Sequence, residues 1–256
     1  MSKIVHFAAA ALLFGVTACG DKAATTAATT STTTVPAIAS TDANAATLSG
    51  KPTRDWTQVT SRTPAGGFLM GNPDAKVKLL EFASLTCPHC RDFNKESMAG
   101  IRAHVAAGNV SYEFRNFILG GQDLAVSVLA RCQTPPAFFR SVDALYGTQT
   151  QWMQNYIKAT PEQGKTIQAL PRDRQLIALA DLGKMDEFFR LRGMSRANYE
   201  ACLKDEKNVT ALQTMDDEAV KKYGLTGTPT FVINGETKPD LHIWGDVDKA
   251  IKAMLG

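Results

Sequence analysis

The sequence offers little that would hold a metal, a haem, a nucleic acid or a bilayer. Its apolar run at residues 4–16, about 13 residues, is too short to span a membrane. Only five cysteines occur among 256 residues, and one Cys-x-x-Cys pair. No second paired Cys/His motif accompanies it, so the four ligands that zinc requires are missing. Arg91 follows the second cysteine where attachment of a c-type haem needs histidine. Lysine and arginine number 28 against 25 acids, yet no basic run interleaves with aromatics, which leaves nucleic-acid binding without support. Internal repeats are also absent, which excludes solenoids and propellers.

Residues 4–16 fit the apolar core of a signal peptide, with Lys3 ahead of them and small residues behind. Removal of residues 1–18 takes Lys3 away and lowers the net charge from +3 to +2. The segment Thr17-Ala18-Cys19-Gly20 resembles the lipobox of bacterial lipoproteins, in which the cysteine is lipidated and begins the mature chain. Several acyl chains on Cys19 would anchor the protein stably, where one chain binds only marginally. The other reading is an ordinary signal peptide cut elsewhere, leaving a soluble periplasmic protein. Gly20 is not the aspartate of inner-membrane retention, although Asp21 comes next, so the choice of membrane stays open. Residues 19–54 read as a tether, because 23–49 are almost wholly Ala, Thr and Ser and could bury no core. Such a coil reaches roughly 30 Å on average. The remaining stretch, residues 55–256, suits one domain with a large insertion.

Within that domain, Glu81-Phe82-Ala83-Ser84-Leu85-Thr86-Cys87-Pro88-His89-Cys90 reads as a buried strand running into a turn that opens a helix. Cys87 then stands at the helix N-terminus, where unpaired N–H groups and the helix dipole favour an anion. The thiolate is the attacking form of cysteine, so this position makes a weak acid a usable nucleophile. Cys90, one turn on, would lie deeper and close an internal disulfide. That layout is a thioredoxin-like redox site.

Apolar spacing predicts strands at 68–70, 77–84, 110–117 and 230–234, with a short strand near 241–244. It predicts helices over 88–107, 208–223 and 247–255. Residues 121–206 read as helical throughout, with candidates at 124–132, 137–146, 173–182, 186–192 and 195–204, Ser195 capping the last. A helical block thus interrupts a small α/β unit. Removing Cys19 leaves four cysteines, an even count that pairs Cys87 with Cys90 and Cys132 with Cys202 in an oxidising compartment. Two buried free thiols are the alternative for the second pair.

With this layout the chain resembles the DsbA-like thiol–disulfide oxidoreductases of the bacterial envelope over roughly 66–256. Cys87-Pro88-His89-Cys90 matches that family's active site, Glu81 its buried acid, and Gly227-Thr228-Pro229-Thr230-Phe231-Val232 its cis-proline loop. The resemblance implies a thioredoxin fold with an inserted helical domain, about 120–206. His89 would stabilise the Cys87 thiolate, making the disulfide more oxidising, unless it is a plain turn residue. Glu81 would move protons to and from Cys90 if burial raises its pKa; a solvated strand position is the alternative. A cis Thr228–Pro229 bond would set Pro229 beside Cys87 and let Thr228 pair with an extended substrate.

The resemblance further implies a dithiol oxidase of exported proteins, reoxidised by a DsbB-like membrane protein and needing no dissociable cofactor. Thr228 departs from the valine of the best-studied envelope oxidase and also occurs in isomerases and reductases, so the direction of chemistry stays open. Isomerases of this type usually carry an N-terminal dimerisation domain, which residues 20–54 cannot form, and a monomer is expected. From another class comes a non-enzymatic lipoprotein that binds unfolded chains.

Overall fold

A computed structural model describes residues 54–256. The expected signal peptide, Cys19 and nearly all of the tether lie outside the described residues.

Six strands form one mixed sheet in the order β1-β2-β4-β3-β5-β6. They are β1 Thr60–Arg62, β2 Phe68–Gly71, β3 Val77–Ala83, β4 Val110–Asn116, β5 Thr230–Ile233 and β6 Glu236–Lys238. β3 and β4 run parallel, and every other pairing is antiparallel. β3 lies centrally and is buried on both faces, as its nearly unbroken apolar sequence requires. Side chains alternate along a strand. Val77, Leu79 and Ala83 therefore enter the main core, while Leu80 and Phe82 enter a second cluster with Ala219, Leu225 and Val232. Glu81 falls in register with the first set.

A parallel β3–β4 pair needs a crossover, and helix α1, Pro88–Ala106, supplies it. Its buried residues Cys90, Phe93, Ser97, Ile101 and Val105 recur at helical spacing and form one stripe facing the sheet. Gly108 (φ 82°) turns the chain back toward β4. Between β4 and α9, Glu206–Tyr223, stand seven helices. These are α2 Gly121–Arg131, α3 Pro135–Gly147, α4 Gln149–Ile157, α5 Pro161–Gln168, α6 Arg172–Leu182, α7 Met185–Arg190 and α8 Arg196–Lys204. Ser195 caps α8 by accepting from the Asn198 N–H. A disulfide joins Cys132, at the C-cap of α2, to Cys202 in α8.

One strand expectation is overturned. No strand lies at 241–244; β6 occupies Glu236–Lys238, and α10, Trp244–Leu255, already begins at Trp244. Asn234 (φ 52°) and Gly235 (φ 86°) are both left-handed. That is the two-residue hairpin turn whose twist returns the chain at once, so the partner strand starts immediately after it.

Candidate active site

Cys87 is the N-cap of α1 in extended conformation (φ −75°, ψ 124°), and Pro88 opens the first turn, where its missing N–H costs nothing. Cys87 is 4 % exposed and Cys90 fully buried. Both are free thiols here, so the geometry is that of the reduced site. In its protonated form the Cys87 thiol donates to the Thr228 carbonyl at 3.3 Å. The Thr228–Pro229 peptide bond is cis.

The two sulfurs have opposite electrostatics. A hydrogen bond from the Cys90 thiol is the largest influence on Cys87, and burial opposes it. The Thr228 hydroxyl and the backbone N–H groups of Cys90 and His89 add to the lowering, and Cys87 falls from 9.0 to about 5. The Thr228 hydroxyl makes no well-aligned hydrogen bond and is buried, which leaves it available as a donor to a thiolate. Burial pushes the Cys90 thiol far up, and the charges on Glu81 and Cys87 push it further. One thiol is thus an anion at neutral pH and its neighbour holds its proton.

Glu81 is 2 % exposed. Burial raises its carboxyl to about 7, against the Tyr112 hydroxyl, which donates to Oε2 at 2.5 Å, while the Cys87 charge adds to the rise. Tyr112 is itself held well above its ordinary pKa by burial and stays a neutral donor. Cross-strand neighbours Phe114 and Phe231 keep Glu81 in apolar surroundings. Its alternative reading, a solvated strand position, does not hold.

Pro88 and His89 are exposed. The part of His89 that lowers the Cys87 pKa is its backbone N–H. Its side chain lines a groove of about 470 Å³ with Thr228, Pro229, Leu241, His242 and Ile243. That groove runs from His89 and the cis-proline loop to the loop before α10. Among the described residues, no three His, Cys, Asp or Glu side chains gather as metal ligands.

Several residues close to this chemistry went unread in the sequence. Asp123, at the start of α2, is fully buried and accepts from Ser84 Oγ at 2.6 Å and from the Leu85 N–H at 3.1 Å. Burial lifts its carboxyl to about 6. The Tyr146 hydroxyl donates to the Ser84 carbonyl at 3.0 Å. Gln149 Nε2 donates to the carbonyls of Leu85 and Cys87, each at 2.9 Å. Asp123 carried a signal, a lone carboxylate directly before the largely apolar run Leu124–Ala130. Tyr146 and Gln149 carried none, because their targets lie about sixty residues away.

A mixed sheet with a dithiol at the N-terminus of its crossover helix, facing a cis-proline loop, defines a thioredoxin-fold redox protein. The thioredoxin family model matches residues 63–253. The chain belongs to that family and is a thiol:disulfide oxidoreductase with a DsbA-like fold. A Rickettsia bellii protein provisionally named a protein-disulfide oxidoreductase is 28 % identical over 210 residues, covering 80 % of this chain and 72 % of its own length. The crystal structure of a protein-disulfide isomerase from Novosphingobium aromaticivorans is 33 % identical with a TM-score of 0.70, covering 73 % of this chain and 96 % of that one. Alpha-DsbA1 of Wolbachia pipientis shares the fold at 22 % identity, with a TM-score of 0.61 and coverage of 75 % and 92 %.

Proposed function

We propose that this protein is a dithiol oxidase of the bacterial envelope that donates a Cys87–Cys90 disulfide to exported proteins. The observation that carries this reading is the placement of Cys87 at the N-terminus of α1 against the cis-proline loop at Thr228, a setting that lowers its thiol to about 5. A stabilised thiolate stabilises the reduced enzyme, and a disulfide whose reduced form is stabilised is a strong oxidant.

In the oxidised enzyme a substrate thiolate attacks the Cys87 sulfur. The Cys87–Cys90 bond breaks, and Cys90 leaves as a thiolate. Its high proton affinity draws a proton, and Glu81, with a pKa of about 7, is poised to supply it. A second substrate thiolate attacks the substrate sulfur of the mixed disulfide and releases Cys87 as the thiolate. The substrate loses two electrons and the enzyme gains them. Thr228 and Pro229 form the substrate rim, where an extended peptide pairs with backbone beside the nucleophile. His89 and Pro88 set the turn between the sulfurs.

On this reading residues 1–18 are a signal peptide, Cys19 is the lipid anchor and 19–54 a tether. The domain, 55–256, works as a periplasmic monomer with its helical insertion at about 120–206. A DsbB-like membrane thiol oxidase returns it to the disulfide form. A reductase or isomerase of the same fold is the second reading. It is favoured by Thr228 and by the isomerase name of the Novosphingobium relative.

The reduction potential of the Cys87–Cys90 couple separates the two. A soluble form starting near residue 50, which retains the compact unit, is equilibrated with glutathione buffers and its thiols are trapped and counted. A potential near about −120 mV marks a disulfide donor, and one near about −270 mV marks a reductase.

A further inference from the structure

We propose that Asp123, Tyr146 and Gln149 are positioning residues for the dithiol: the inserted helices brace the backbone of residues 84–87 and so aim the α1 N-terminus at the Cys87 sulfur. This inference rests on the redox reading of Cys87 and Cys90, and it assigns the helical insertion a part in that chemistry.

The three side chains come from three successive helices, α2, α3 and α4, and none is more than 3 % exposed. All converge on residues 84–87, the segment that leads from the end of β3 to the nucleophile and includes it. The Ser84 carbonyl accepts from Tyr146 Oη at 3.0 Å and from the Cys87 N–H at 3.2 Å. Ser84 Oγ accepts from the Thr86 N–H at 3.1 Å and donates to Asp123 Oδ2. The Leu85 N–H donates to Asp123 Oδ1. Gln149 spends both hydrogens of its amide here, one on the Leu85 carbonyl and one on the Cys87 carbonyl.

This arrangement is more than fold maintenance. A buried carboxylate whose four donors, Ser84, Leu85, Leu119 and Ser127, are all neutral gains no ion pair, so Asp123 is a costly way to fill a core. What it secures is the path of a short segment with the nucleophile at its end. The N–H groups of His89 and Cys90 that lower the Cys87 pKa come directly after that segment. Their aim depends on the backbone angles at Cys87 and Pro88, and Gln149 fixes the carbonyl between them. Ser84 contributes again, because its backbone N–H favours the Cys90 thiolate.

The test uses the full chain in detergent, with Gln149→Leu and Tyr146→Phe as probes. Ser141→Ala serves as control, since it removes a part-buried hydrogen bond from Gln133 to Ser141 elsewhere in the insertion. Three quantities are measured: the Cys87 thiolate absorbance against pH, the exchange equilibrium with glutathione, and the melting temperature. Gln149→Leu is expected to raise the thiolate midpoint by about one unit. It should weaken the enzyme as an oxidant about tenfold, which corresponds to about 30 mV. Tyr146→Phe should move both in the same direction and by less, while Ser141→Ala lowers the melting temperature and moves neither. Wild-type midpoint and equilibrium in a folded Gln149→Leu protein would overturn the brace, as would equal shifts in the control. If Gln149→Leu does not fold, Tyr146→Phe decides alone by the same criteria. A wild-type protein that does not exchange with glutathione sinks the redox reading instead, and the thiolate midpoints still test the brace.

Discussion

Cys87 and Glu81 depart from their ordinary pKa values in opposite directions, and their pH signatures are opposite too. The Cys87 thiol is lowered from 9.0 to about 5. Its contribution to the stability of the reduced protein is therefore complete above pH 9 and is lost as pH falls through about 5. The stability of the reduced form relative to the oxidised form should rise across that window, followed by denaturant melts of each form at several pH values. A flat difference would remove the thiolate. Glu81 is raised from 4.5 to about 7. Its contribution is complete below 4.5 and is lost as pH rises through 7, because the folded state then holds a buried charge. Glu81→Gln, measured in the oxidised protein to silence Cys87, should gain roughly 3 kcal/mol at alkaline pH and little at pH 4. In activity the same variant should slow exchange at neutral pH, since an amide cannot pass a proton to Cys90.

At the scale of elements, α1 joins the nucleophile to the sheet, and its hold on the rest of the fold is tight. Gly100 lies against the Trp244 indole of α10, and a Cβ there would run into the ring. Gly100→Ala removes a helix-weakening glycine but overpacks this contact, and should cost about 1–3 kcal/mol in a thermal melt. A neutral or stabilising result would mean that α10 can shift freely. Elements with strong periodicity, β3, α1, β4 and α9, were legible in the sequence to within a few residues. β6 was not, because three residues at a sheet edge carry no periodicity, and the strand after the turn was expected several residues too late, near 241–244. The divisions of the block into α4 and α5 were likewise invisible, since their polar, half-exposed sequences leave no sharp apolar stripe.

For the molecule as a whole, the Cys132–Cys202 disulfide closes a loop with a sequence separation of 70. Constraining the unfolded chain in this way is worth about 4 kcal/mol in the chain-entropy model. Replacing both residues by alanine should lower unfolding stability by about that amount in a denaturant titration. A loss under about 1 kcal/mol would show that the insertion is held by packing alone. The insertion also carries the brace on residues 84–87, so a loosened helical block should be felt at the dithiol, 45 residues before Cys132.

Residue type and spacing alone determined the Cys87-Pro88-His89-Cys90 turn, the strand before it and the helix after it. Those are local facts: an apolar run makes a buried strand, a proline opens a helix, and a cysteine before it becomes the cap. The tertiary structure decided everything that depends on desolvation or on partners distant in sequence. Burial between Phe114 and Phe231 makes Glu81 a group that titrates near 7. The Thr228 carbonyl reaches Cys87 across 141 residues, and Gln149 reaches it across 62. No periodicity encodes such meetings, because they arise only when packing brings separate elements together and removes the water between them.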